Sequence, residues 1–201
     1  MHRIGPEVVH NDRAVRRLFK EIGLGRRDVF YDLGCGQGRL CVIAASDFHV
    51  KRAVGLELNK ARFEKATGIV RELGLSERVE IRHENFWDAD LREATVLYDG
   101  LTETEEDLSE YEAKLQNNAK LVTLNLPLVG VLASQDHYPF YVMRFPFQKT
   151  RSASRWIKNV LGREASVSDF FEELQADREF YENRRVLKSV MRKRLESFEE
   201  K

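Results

Sequence analysis

Val29-Phe30-Tyr31-Asp32-Leu33-Gly34-Cys35-Gly36-Gln37-Gly38 is an apolar run that ends in an acid and passes into three glycines at alternate positions. It reads as a buried strand delivering its backbone to a ligand. Without a Cβ, glycine takes φ values that other residues resist and lets a bound group approach the main chain. Spacing narrows the choice of ligand. In the dinucleotide fingerprint G-x-G-x-x-G, counted from Gly34, the third glycine would stand at position 39, which is Arg39. That register disfavours NAD and FAD. A helical-looking segment, 39–45, follows, then a second apolar run, 52–56, closed by Glu57. An acid about twenty residues beyond the glycines holds ribose hydroxyls in doubly wound nucleotide-binding folds. Two carboxylates flanking a glycine loop suit an adenosyl group that also carries an ammonium.

Working outward, the chain alternates helices and strands. Val15, Leu18, Phe19 and Ile22 recur at helical spacing in 12–22, behind Asn11 or Asp12 as N-cap. Strands are expected at 29–33, 52–57, 78–83, 94–98 and 119–125, and helices at 38–46, 60–73 and 103–116. Such alternation implies a parallel sheet with helices on both faces. A further strand at 140–145, with 129–133 preceding it, would make a closing hairpin. From position 150 onward, segments 152–161 and 168–198 are charged, lack proline and look helical. The expected organisation is a ligand-binding domain over 1–150 and a helical extension over 151–201 that is not an independent domain.

On the glycine loop and its two acids, the chain resembles the class I S-adenosylmethionine-dependent methyltransferases. The resemblance implies an α/β, Rossmann-like, doubly wound sheet of seven strands, mostly parallel, with an antiparallel C-terminal hairpin. It also implies S-adenosyl-L-methionine as cofactor, S-adenosyl-L-homocysteine as product, and no metal. Asp32 would meet the methionine amino group, Gly34, Gly36 and Gly38 would wrap methionine and ribose, and Glu57 would accept both ribose hydroxyls. Tyr31, Leu58, Asn85 and Phe86 complete the implied cofactor set, the last two at the adenine. A narrower resemblance rests on Tyr-Asp-Leu-Gly-Cys-Gly-Gln-Gly-Arg, on 54–59, on Glu-Asn-Phe-Trp at 84–87, on 93–96 and on Arg-Phe-Pro-Phe at 144–147. These look like the small protein lysine methyltransferases of archaea and their mitochondrial relatives, and imply transfer to lysine.

Acceptor identity should be written at the carboxyl ends of the fourth and fifth strands. The fourth runs into Tyr98-Asp99-Gly100 without the Asn-Pro-Pro-Tyr or Asp-Pro-Pro-Tyr sequence that marks methylation of base amines or glutamine amides. Acids follow it: Glu103, Glu105, Glu106, Asp107, Glu110 and Glu112, with no base before Lys114. A rim of this sign attracts a cationic acceptor, although acids also suit the first turns of a surface helix. Asp99, Tyr98 and Glu103 are the candidate catalytic residues. Tyr31, Trp87, Tyr98 and Phe145 are candidate walls of an aromatic channel for a lysine, and Gly5-Pro6-Glu7 a candidate part of a lid.

The 201 residues carry 33 acidic and 33 basic side chains, so no global field draws the chain to nucleic acid or to a membrane. Nucleic acid is not the expected partner. Cys35 and Cys41 lack zinc-ligand spacing, and with no secretory leader they imply reduced thiols and a cytoplasmic protein. The basic cluster Arg184, Arg185, Lys188, Arg192, Lys193 and Arg194 is interrupted by acids and fits a solvated helix, which also leaves a homodimer through the C-terminal helices open. Besides lysine transfer, two readings stand: a small-molecule methyltransferase, and a noncatalytic scaffold that keeps the cofactor site.

Overall fold

The computed structural model describes residues 11–100, 108–137, 139–176 and 185–198. Glu103, Glu105, Glu106, Asp107 and Gly5-Pro6-Glu7 lie outside the described residues. Strands β1 (Val29–Leu33), β2 (Arg52–Leu56), β3 (Val79–Arg82), β4 (Val96–Asp99), β5 (Lys120–Leu124) and β7 (Phe140–Arg144) have four or five residues each, and β6 (Gln135–His137) has three. Together they form one sheet in the order β3-β2-β1-β4-β5-β7-β6. β1 to β5 pair in parallel, and β7 runs antiparallel to both β5 and β6.

Helices α1 (Asp12–Glu21), α2 (Arg39–Asp47), α3 (Lys60–Glu72) and α4 (Leu108–Lys114) cover the sheet. Every residue of β1 is buried, because both of its faces are covered. Side chains alternate between the faces. Phe30 packs with Val15, Leu18 and Phe19 of α1 on one side, while Tyr31 and Leu33 pack with Tyr111 of α4 on the other.

The chain order reverses between β1 and β4. β1 leads outward to β2 on one side, and its other neighbour, β4, leads on to β5. In an open sheet, that reversal leaves a crevice at the carboxyl ends of the two central strands, where ligands bind.

One expectation is corrected. Residues 129–133 are not a strand: Val131 makes a lone bridge to Lys149, Val129 and Ala133 pack toward the C-terminal helices, and β6 lies further on, at Gln135–His137. Within 168–198, which looks helical in sequence, the described residues form α6 (Val167–Ala176) and α7 (Arg185–Glu196), and 177–184 lie outside the described residues. Helix α5 (Ala153–Leu161) precedes them.

These helices are joined to the sheet by a third apolar cluster. Trp156, Phe170, Phe171 and Leu195 pack with Leu126 and with Tyr141 of β7. Trp156 is fully buried and its Nε1 donates to the Leu128 carbonyl at 3.0 Å, while the Ala133 amide donates to Asn159 Oδ1 at 2.7 Å. No helix among the described residues is long and apolar enough to cross a membrane.

Candidate functional site

β1 carries Asp32 to its carboxyl end and then turns through the glycine loop. Gly34, Gly36 and Gly38 take φ values of 81°, 56° and 75°, in the left-handed region where a Cβ is strained. The loop is anchored from below, since the amides of Gly34 and Cys35 both donate to the Leu56 carbonyl at 2.9 Å. The Gly38 amide closes the turn onto the Cys35 carbonyl at 2.8 Å, and Gly38 caps α2.

The Cys35 side chain points down into the core. A Cβ built on Gly55 of β2 would stand 2.6 Å from Cys35 Sγ and 2.9 Å from its Cβ, so this thiol fills the space that Gly55 leaves. Burial pushes the Cys35 thiol well above the ordinary range, with the Asp32 and Glu57 charges acting the same way. A thiolate nucleophile does not form there. Gly55→Ala is expected to lower the urea midpoint by an amount equivalent to about 1–3 kcal/mol, the cost of overpacking a filled core. The same substitution should weaken ligand binding, because it pushes on the loop.

Glu57 follows β2 and is 4 % exposed. Its Oε2 accepts from the Gly36 amide at 2.9 Å and its Oε1 from the Asn59 amide at 2.7 Å. One carboxylate thereby ties the loop after β1 to the start of α3. Asp32 is also 4 % exposed and forms no ion pair with a described residue. Its carboxyl is pushed up to about 8, first by burial and then by the charges of Glu57 and Asp99. A buried acid among acids is suited to receive a cation, which would restore its charge.

Asp99 ends β4 beside Leu33, the residue after Asp32. It is 1 % exposed, and its Oδ2 accepts from the Tyr111 hydroxyl of α4 at 2.8 Å. Tyr98, on the opposite face, is buried against Phe140, with its ring 3.0 Å from the place where a Cβ on Gly100 would stand. Leu58 is 40 % exposed, an unusual position for a large apolar side chain. The His83 ring makes a hydrogen bond from Nε2 to the Leu58 carbonyl at 3.0 Å and stacks on Phe63. Asn85 Oδ1 accepts from the Trp87 amide at 3.2 Å, and the rings of Phe86 and Trp87 lie 4.3 Å apart, with Trp87 6.0 Å from Tyr111.

The structure therefore brings Asp32, the glycines, Glu57, Leu58 and Asp99 to the carboxyl ends of three adjacent strands, with Asn85 and Phe86 just beyond β3. It does not bring Tyr31 there. Tyr31 lies on the sheet face opposite Asp32, and its hydroxyl donates to Glu93 Oε1 at 2.7 Å, before β4 begins and so at the amino ends of the strands. Phe145 is also at that end, its amide bonded to the Ala119 carbonyl ahead of β5, so neither ring lines a channel at the site. Of the acids expected on the rim, Glu112 is held by Lys149 at 2.7 Å. Tyr111 was not expected at the site. Its signal in the sequence is one tyrosine among charged residues at the start of a helix, whose hydroxyl needs a partner once the ring is buried.

Cys35 and Cys41 are buried and free. Among the described residues no group of three or more histidine, cysteine, aspartate or glutamate side chains could hold a metal ion.

Comparison with solved structures gives an RNA methyltransferase from Salinibacter ruber, in complex with S-adenosyl-L-homocysteine, at a TM-score of 0.60 and 26% identity, covering 68% of this chain and 92% of that one. A SAM-dependent O-methyltransferase from Thermotoga maritima, at a TM-score of 0.51 and 16% identity, covers 61% of this chain and 47% of that one and shows the fold alone. Among curated proteins, a protein-lysine N-methyltransferase of Saccharolobus islandicus (strain REY15A) is 40% identical over 92 residues. That alignment covers 46% of this chain and spans 57% of the length of the relative. The model of the ANTKMT methyltransferase domain matches residues 32–135, from the first acid of the site to the start of β6. With more than half of its residues inside that match, the chain belongs to the ANTKMT methyltransferase domain family.

Proposed function

We propose that this chain is an S-adenosylmethionine-dependent N-methyltransferase acting on protein lysine side chains. The observation that carries the cofactor half is the meeting of Asp32, the left-handed glycine loop and Glu57 at the strand ends beside the topological reversal. The donor set fits the group. Asp32 takes the methionine ammonium, the loop leaves room for the backbone to approach, and Glu57 exchanges its two amide partners or shares them with the ribose hydroxyls. Leu58, Asn85 and Phe86 would hold the adenine. When bound, the cofactor supplies a methyl group already activated by its sulfonium. What remains for the chain is to exclude water, align the acceptor lone pair and favour an amine that has lost its proton. Asp99 lends the transfer end a negative charge that draws an ammonium, and Trp87 beside Tyr111 forms an apolar wall for an alkyl chain.

The lysine half rests on the 40% identical relative and on the absence of the Asn-Pro-Pro-Tyr type of sequence after β4. It is tested by label transfer. The protein is incubated with methyl-labelled S-adenosylmethionine and a lysate from its source, left undialysed so that its metabolites are present as acceptors, and label is counted in protein, RNA and small metabolites. Label is expected in protein and should be lost when lysate lysines are acetylated beforehand. Label in RNA, as the Salinibacter ruber neighbour's name would suggest, or in metabolites alone would overturn the lysine assignment.

A further inference from the structure

The buried contact between Tyr111 and Asp99 is not among the contacts assigned above to the cofactor's ammonium and ribose, and it stands at the carboxyl end of β4, beside that of β1. Tyr111 is 1 % exposed and its ring is wedged beside Trp87 at 6.0 Å. Trp87 is in turn fixed from both sides, by the Phe86 ring at 4.3 Å and by Lys114, whose Nζ donates to the Trp87 carbonyl. Two of these groups, Tyr111 and Lys114, are one helical turn apart on α4, so the helix grips the β3–β4 connection and the end of β4 together. An aromatic held this firmly has little freedom to swing its hydroxyl, and the 2.8 Å bond to Asp99 Oδ2 therefore fixes the carboxylate's orientation as well.

What a fixed carboxylate does here follows from the charge of the two molecules that alternate in the site. Donor and product share adenosine, ribose and the amino acid group, and differ by one methyl and one positive charge on sulfur. Asp32 and Glu57 meet parts that both molecules possess and so cannot tell them apart. Asp99 is the third buried acid at these strand ends, one strand over from Asp32 on the side away from Glu57. Its neighbour in register is Leu33, immediately before the glycine loop.

We propose that Tyr111 is a positioning residue that holds the Asp99 carboxylate toward the cofactor sulfur, so that the site prefers the sulfonium donor to the neutral product. The inference rests on the reading of this crevice as an S-adenosylmethionine site. In a water-poor setting a fixed charge several ångströms from the sulfonium changes affinity by about tenfold or more, whereas a carboxylate free to rotate and hydrate loses most of that effect. The practical consequence is relief of product inhibition. A methyltransferase whose spent cofactor binds as tightly as the donor stalls as product accumulates.

The test needs no acceptor. Dissociation constants for S-adenosylmethionine and S-adenosylhomocysteine are measured by calorimetry on the full chain as wild type, Tyr111→Phe, Asp99→Asn and the double variant, with thermal unfolding recorded for each. Tyr111→Phe is expected to lower the donor-to-product preference by about three- to tenfold while product affinity changes less than about twofold. Asp99→Asn should lower it by as much or more, and the double variant no further than Asp99→Asn alone, because one group acts through the other. A preference unchanged in Asp99→Asn overturns the charge reading. A preference lowered in Asp99→Asn but intact in folded Tyr111→Phe overturns the positioning role. If Tyr111→Phe does not fold, Asp99→Asn alone decides the charge reading, and Trp87→Phe, which loosens the Tyr111 ring while keeping its hydroxyl, decides positioning by the same ratio. Failure of the wild type to bind either molecule is a different result, and overturns the underlying cofactor assignment instead.

Discussion

Glu57→Ala is expected to weaken S-adenosylhomocysteine binding by at least about a hundredfold, measured by calorimetry. Hydrogen bonds to a charged acceptor contribute about 1.5–3 kcal/mol each, and two ribose hydroxyls lose theirs together. The effect has a second source within the protein. Glu57 holds the amides of Gly36 and Asn59 at 2.9 and 2.7 Å, so its removal leaves both donors unmatched and frees the glycine loop from the start of α3. Glu57→Gln separates the two contributions. It keeps one acceptor oxygen and most of the side chain's volume, and should bind at an intermediate level with an unfolding temperature close to wild type. If Glu57→Ala binds within threefold of wild type, the ribose is held elsewhere.

The second large effect is one of pH. In the free protein the Asp32 carboxyl sits at about 8, against an ordinary 3.8, because burial and the neighbouring acids oppose its charge. A cofactor ammonium reverses that preference. Binding below pH 8 must therefore drive a proton off Asp32, and affinity for S-adenosylhomocysteine should rise between pH 6 and pH 7.5 by up to about tenfold per unit. The ligand's α-amino group, which its own carboxylate makes more basic than a peptide N-terminus, stays protonated over that range. Asp32→Asn should bind weakly and show no such slope.

The unliganded chain should behave in the opposite sense. Between 3.8 and about 8 the folded form holds a proton on Asp32 that the unfolded form releases, so this residue's contribution to stability is largest at the acid end and is lost as pH rises toward 8. Thermal unfolding of Asp32→Asn without ligand should accordingly show a smaller decline than wild type over the same window. A wild-type affinity that is flat from pH 6 to 7.5 would contradict the assignment of Asp32 to the ammonium.

The parts of the site that were legible in the sequence are those written in local patterns. An acid at the end of an apolar run, glycines at alternate positions and a second acid closing the next run are each contained within a few residues. The parallel ladder of β1 and β2 then brings Asp32 and Glu57 to the same end of the sheet. Tyr31 illustrates the limit of that reading. It adjoins Asp32 in sequence, but in a strand adjacent side chains point to opposite faces, and its long ring carries the hydroxyl back to Glu93 at the amino ends.

Tyr111 illustrates the converse. It stands twelve positions from Asp99, on α4 rather than on β4, and only tertiary packing brings the two together. The misplaced strand has a similar cause. Val129 and Ala133 are apolar because they pack against the cluster that holds Trp156 and Phe170, and Val131 because it is buried with Tyr111 and Met143, not because the segment joins the ladder. The true edge strand, Gln135–His137, is three residues long and carries no apolar alternation.

The most direct test of the account is a crystal structure of the chain with S-adenosylhomocysteine. The ligand's amino group is expected within hydrogen-bonding distance of Asp32, both ribose hydroxyls at Glu57, the loop from Gly34 to Gly38 against the ribose and amino acid portions, and the sulfur directed toward Asp99. A ligand bound at the strand ends with its ribose away from Glu57, or with its amino group away from Asp32, would contradict it.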